Sequence, residues 1–275
     1  MRLLKQLVVV VAIAFVGSAG VGAVQWNPPL TLAIGVATAV LSLLGYAWVV
    51  RRSEHRDPVE VATRGAVGAL SRGLLIGAGM FAAVIANIAF LGGYEVIGWG
   101  SAAGAVAFFG FTAAAAVTEE VLFRGVLFRI VEGRIGTWAA LALTALLFGA
   151  SHIFNPNATL WTSLAIAIEA GGMLAAAYAA TRNLWVPIGV HFGWNFAQGG
   201  IFSSNVSGMD SPKGLLESAT SGPAVFTGGE FGPEASVYSV LAGVVVTAAF
   251  MWLARRRGHI VPLRRRTAPA ATLVP

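Results

Sequence analysis

Eight apolar runs, each near the ~20 residues needed to cross a bilayer's hydrocarbon core, divide this sequence. They cover about 7–24, 30–50, 74–91, 102–130, 138–154, 160–180, 186–202 and 237–253. Breakers separate them: Asn27-Pro28-Pro29, Gly92-Gly93, Asn155-Pro156 and a Gly/Ser/Pro-rich loop over 203–233. The expected fold class is all-α: a polytopic membrane helical bundle of about eight transmembrane helices. The fourth run is too long for one straight crossing and is expected to tilt or emerge at its C-terminal end. Charge content agrees. Only 11% of the 275 residues are charged, against about 25% in a soluble domain. The chain has no cysteine, which excludes a disulfide framework, thiolate chemistry and Cys-based metal sites.

The basic residues give an orientation. Arg2 and Lys5 precede run one. Arg51, Arg52, Arg56, Arg64 and Arg72 lie between runs two and three. Arg129 and Arg134 end run four, Arg182 follows run six, and Arg255–Arg257 and Arg264–Arg266 follow run eight. With eight crossings all of these fall on one face, and only Lys213 falls on the other. By the positive-inside rule both termini are cytoplasmic. The net charge of +6 is then an orientation signal near anionic lipid, and no nucleic-acid partner is expected. Residues 1–23 also have the layout of a cleavable signal peptide, but their apolar stretch is long for one, which favours a retained helix. His55 and His259 sit among arginines and are expected to be solvated. The Gly100/Gly104 spacing and Gly171-Gly172 are expected to allow close helix packing.

Polar groups inside the apolar runs carry the chemistry. In run four, Glu119, Glu120 and Arg124 occur within six residues. A charge at the centre of a spanning helix costs about 2.5–3.5 kcal/mol on insertion scales, so each needs a partner. Glu120 and Arg124 are i and i+4, one helical turn apart with the acid first, and can neutralise each other. Glu119 points about 100° away and is left free. In run five Phe148 and His152 share a face, and in run seven His191 and Asn195 do. Each pair alone fits interhelical packing or hydrogen bonding. Together they supply the parts of a hydrolase. Glu119 with a histidine can take a proton from water, and a second histidine with an asparagine can stabilise an oxyanion. Alternatively, Glu119, His152 and His191 are the ligand set of a catalytic zinc or other divalent metal site, with the fourth position open to water. Glu169, mid-membrane in run six, has no evident partner.

The three motifs, Glu119-Glu120-x-x-x-Arg124, Phe148-x-x-x-His152 and His191-x-x-x-Asn195, resemble in order and spacing those of the CPBP family. That family comprises type II CAAX prenyl endopeptidases and bacteriocin-processing enzymes, which are all-helical intramembrane proteases. The resemblance covers about 102–202 and divides the chain into N-terminal helices (1–101), a catalytic helical core (102–202), and a loop, last helix and basic tail (203–275). It implies that Glu119 and His152 activate water, that His191 and Asn195 hold the oxyanion, and that Glu120, Arg124 and Phe148 support them. It implies a peptidase or metalloprotease cutting near the C-terminus of a membrane-associated, prenylated or other, protein or peptide. Metal dependence stays open. A non-enzymatic scaffold or regulator using the same polar cavity is the alternative. A transporter is a third reading, weakened by the lack of paired repeats. The Ala/Gly/Arg-rich composition points to a bacterial plasma membrane. With Arg129 and Arg182 taken as marking the basic boundary, Glu119 and His191 lie about 15 Å inside it, so the cavity is expected to open to the basic, cytoplasmic face.

Overall fold

The computed structural model describes residues 1–263. Arg264–Arg266, part of the basic tail, lie outside the described residues. Among the described residues the helices join into eight continuous rods. These are α1 (Arg2–Ala23), α2 (Pro28–Glu54), α3 (Ala66–Phe90), α4 (Ala102–Ile135), α5 (Thr137–Ser151), α6 (Leu160–Thr181), α7 (185–201) and α8 (Val237–Arg256). Six of them are long and apolar enough to cross a membrane; α5 and α7 are shorter. The chain is thus a multi-pass membrane protein, with six such helices among the described residues.

The all-α expectation needs one correction. β1 (Tyr94–Trp99) pairs antiparallel with β2 (Leu216–Thr220), with a register shift between Val96 and Gly98. Tyr94-Glu-Val-Ile-Gly-Trp is rich in β-branched and aromatic residues, but its partner strand lies more than a hundred residues away.

Glycines let the rods touch. On α3, Gly73 and Gly77 face Gly189 and Gly193 of α7. A Cβ on Gly77 would sit 2.0 Å from the Val190 carbonyl oxygen, and one on Gly193 would sit 2.5 Å from that of Leu74. Two small-xxx-small stripes thus meet face to face, and they fix the helix that carries His191. Gly100 and Gly104, expected to pack helices, instead lie against the backbone of 213–216.

Chain continuity through Arg129 sets the depth of everything else. The apolar pattern of run four ends at Ile130. The helix in fact runs on to Ile135, because Arg129 does not need to reach water there. Its guanidinium bonds Glu54 (2.8 Å) and Gln6 (3.0 Å), which joins α4 to α2 and α1. Gly136 then turns the chain at φ 80°, ψ 166°, a conformation open to glycine and costly for other residues. α5 returns from this turn, with Thr137 donating to Glu132 and Arg182 paired to the same carboxylate. His259 bonds the Ala180 carbonyl (3.1 Å) at this basic end and is half-buried rather than solvated, whereas His55 is exposed.

Candidate functional site

Glu119 lies seventeen residues before Gly136 and His152 sixteen after it. At about 1.5 Å per residue both are then roughly 25 Å from the turn, at matching depth. The sequence reading put Glu119 only about 15 Å from the basic boundary because it took Arg129 as the end of the helix, which in fact continues to Ile135. Glu119, His152, His191 and Asn195 line one cavity of about 530 Å³.

Three stretches of wider, π-helical winding abut the site: Val121–Phe128 after the two glutamates, Ala167–Gly172 around Glu169, and Phe196–Ile201 after Asn195. Such winding re-aims side chains and disturbs the regular carbonyl ladder, and it is frequent at functional sites. Its use is visible at Arg124, which is 1% exposed. One guanidinium nitrogen donates to Glu120 Oε1 (2.8 Å). The other donates to the Ala170 and Gly171 carbonyls (3.2 and 3.0 Å) of the wide turn in α6. The Phe148 ring lies under the guanidinium, 4.6 Å from its carbon. The expected Glu120–Arg124 neutralisation is therefore present, and it also ties α4 to α6. Arg124 grips the backbone beside Glu169 and leaves that carboxylate alone.

Glu120 has a second partner. Its Oε1 also lies 2.9 Å from His191 Nδ1, while His191 Nε2 is 3.9 Å from Glu119 Oε2. His191 thus sits between two carboxylates. His152 Nδ1 is 2.8 Å from the Phe148 carbonyl oxygen. A carbonyl only accepts, so Nδ1 carries the hydrogen and Nε2 is left bare. Glu119 is the more exposed of the two acids, with about a third of its side chain accessible, and its Oε2 has no hydrogen-bond partner. The imidazole nearest to Glu119 is that of His191; His152 shares the cavity with it. Asn195, one turn beyond His191, lines the same wall. The Phe148 ring lies 4.9 Å from His152 and 6.1 Å from His191, so one aromatic neighbours both imidazoles as well as Arg124.

Among the described residues no three His, Asp or Glu side chains are grouped to hold a metal ion. His191 Nδ1 is held by Glu120 and His152 Nδ1 by a carbonyl, which leaves the two Nε2 atoms as the ring nitrogens open to water, substrate or an ion.

The cavity faces the end opposite to the one expected. Its lining includes Val21, Gly22 and Trp26 at the close of α1, Asn155 after α5, and Ser207 and Met209 of the long loop. All lie away from the arginine clusters. Because the chain has no native cysteine, single cysteines report this directly. Asn155→Cys and Met209→Cys should react with a membrane-impermeant maleimide from the face opposite to a Gly258→Cys control. Labelling of all three from one face would contradict this placement.

Glu234, in the loop before α8, is a cavity residue that no motif announces. Burial pushes its carboxyl from 4.5 up to about 7, against the lowering effect of hydrogen bonds from Ser207 and Gln198. A raised folded-state pKa means that the folded protein holds this proton more tightly. The associated stability is complete below about 4.5 and is lost as pH rises to about 7. At about 1.4 kcal/mol per pH unit the loss is at most roughly 3 kcal/mol. The melting temperature should fall between pH 5 and pH 8, and Glu234→Gln should flatten that slope. Equal slopes in the two proteins would contradict the assignment.

Residues 99–197 match a family model described as type II CAAX prenyl endopeptidase Rce1-like. The matched segment contains all seven motif residues, Glu119, Glu120, Arg124, Phe148, His152, His191 and Asn195, as well as Glu169. The family is one of proteases. No curated protein and no solved structure matches the chain.

Proposed function

We propose, from a core segment that matches a protease family, that this protein is an intramembrane endopeptidase in a bacterial plasma membrane. It hydrolyses a peptide bond near the C-terminus of a membrane-associated protein or peptide. The observation that carries the reading is Glu119: a carboxylate with an unpartnered oxygen, facing a cavity, with an imidazole 3.9 Å away.

The tautomers support a division of labour. His152 presents a bare Nε2, so it and Glu119 are both acceptors and can orient and deprotonate a water between them. His191 lies between Glu120, 2.9 Å from its Nδ1, and Glu119, 3.9 Å from its Nε2; with a hydrogen on each ring nitrogen it can donate to Glu120 from Nδ1 and to the substrate from Nε2. With the Asn195 amide it offers two donors to the oxygen of a tetrahedral intermediate, each contributing roughly 3–4 kcal/mol. Glu119 then passes the proton to the leaving amine. Glu120, Arg124 and Phe148 position His191 and stay off the substrate. The apolar remainder of the cavity, with α1 as one wall, suits an apolar or lipid-bearing substrate arriving from the bilayer.

The test is cleavage of lipidated and plain peptides by purified protein in lipid nanodiscs, with and without chelator. Water activation by Glu119 and His152 alone predicts cleavage that chelator leaves unchanged. Cleavage abolished by chelator and restored by zinc would make the metal part of the reaction. A non-enzymatic scaffold predicts no cleavage of any peptide.

A further inference from the structure

The water chemistry uses one of the cavity's carboxylates and leaves two unexplained. Glu119, Glu169 and Glu234 all line it, and among the described residues no Lys or Arg does. The buried cation nearby, Arg124, is committed to Glu120 and two carbonyls. Glu169 and Glu234 are each 1% exposed. Glu169 lines the cavity, and its buried Oε2 has no hydrogen-bond partner. Glu234 Oε1 accepts the Ser207 backbone N–H.

The fold brings the two acids to one cavity. Glu169 sits on the wide turn of α6, and Glu234 lies in the short turn just before α8. α8 presses on α6 so closely that a Cβ on Gly243 would sit 2.4 Å from the Glu169 Cα. Two like charges out of water are costly unless a cation joins them. The surrounding wall also carries Trp26, Phe111 and Trp194, aromatic side chains of the kind that attract cations.

We infer that Glu169 and Glu234 form a cation subsite that seats the ammonium or guanidinium group of a basic residue in the peptide to be cleaved. The inference rests on the peptidase reading and adds the substrate's charge to it. A peptide with a basic residue near the scissile bond is favoured, and a free α-carboxylate is an unfavourable occupant of the same space. Glu234 lies outside the segment that matches the protease family, so this preference is built partly by the chain's own loop.

Binding and cleavage separate the two ideas. Short fluorescent peptides with lysine walked through each position, and the same set with isosteric norleucine, are titrated by anisotropy into nanodisc-held protein. The proteins are wild type, Glu119→Gln, Glu169→Gln, Glu234→Gln and Glu169→Asp. The expected result is that at least one lysine peptide binds wild type and Glu119→Gln about tenfold or more tighter than its norleucine twin. The advantage should collapse in both Gln variants and return in part in Glu169→Asp. Having two Gln variants guards against one that fails to fold. Equal binding of the twins by wild type would mean that the pair is neutralised by its own proton, and would overturn the subsite. A lysine advantage present in choline and erased by sodium would give the pair to an inorganic cation, and would also overturn it. Cleavage is scored separately: lysine-selective binding without cleavage of any peptide keeps the subsite and removes the peptidase.

Discussion

Replacing Glu119 by Gln should lower kcat on any peptide that the wild type cleaves by roughly 100- to 10,000-fold, the range for loss of a positioned general base. The amide keeps the side chain's size, and Glu119 is half-buried at the cavity wall with no ion pair closer than 3.9 Å. Its fold should therefore survive, with a melting temperature close to that of the wild type. KM should change little, because the carboxylate acts on water rather than on the resting substrate. The loss should not be recovered at higher pH, since no proton acceptor remains at that position. Matched progress curves and thermal melts for the two proteins check this. An unchanged rate would remove Glu119 from the chemistry.

The second large effect is expected at the buried pair. Arg124→Ala removes the partner of Glu120, two hydrogen bonds to the α6 carbonyls and the cation over Phe148. Breaking a buried ion pair from one side costs about 3–5 kcal/mol, because the other charge stays behind. Arg124→Lys should recover little of it, since a point ammonium cannot span a carboxylate and two carbonyls. The double change Glu120→Leu with Arg124→Met should restore much of the stability, because neither charge is then left alone. It should not restore activity: His191 loses the acceptor that holds Nδ1–H and so loses its orientation. Thermal melts and cleavage rates on the three variants separate the roles. A double variant with wild-type rate would mean that Glu120 does not position His191.

Parts of this were legible in the sequence because they depend on spacing alone. Glu120 and Arg124 meet because residues four apart on a helix must, and Glu119 is left free for the same reason. The apolar runs became rods because hydrophobic stretches of that length have few alternatives. Other parts depend on distant partners. Arg129 looked like a boundary residue because a cation at the end of an apolar run usually is one. Gln6 and Glu54, more than seventy residues earlier, let the helix continue past it and displaced the whole site towards the opposite end. Gly100 and Gly104 announced a close approach but not what approaches, which is the backbone of 213–216 and not another helix. Glu234 carried no signal: it is one acid in a polar loop, and only the folding of that loop over the cavity gives it neighbours. The β1–β2 pair was hidden for a similar reason, since a strand is recognised by its partner as much as by its own residues.

The measurement that bears most directly on the central claim is a single turnover in heavy-oxygen water, with enzyme in excess over a cleavable peptide. If Glu119 and His152 activate water for direct attack, the new product carboxylate carries one heavy oxygen after the first turnover. Glu119, read by mass spectrometry of its proteolytic fragment, carries none. Unlabelled first-turnover product with one heavy oxygen in Glu119 would mean that the carboxylate attacked the peptide bond itself, and would contradict the account.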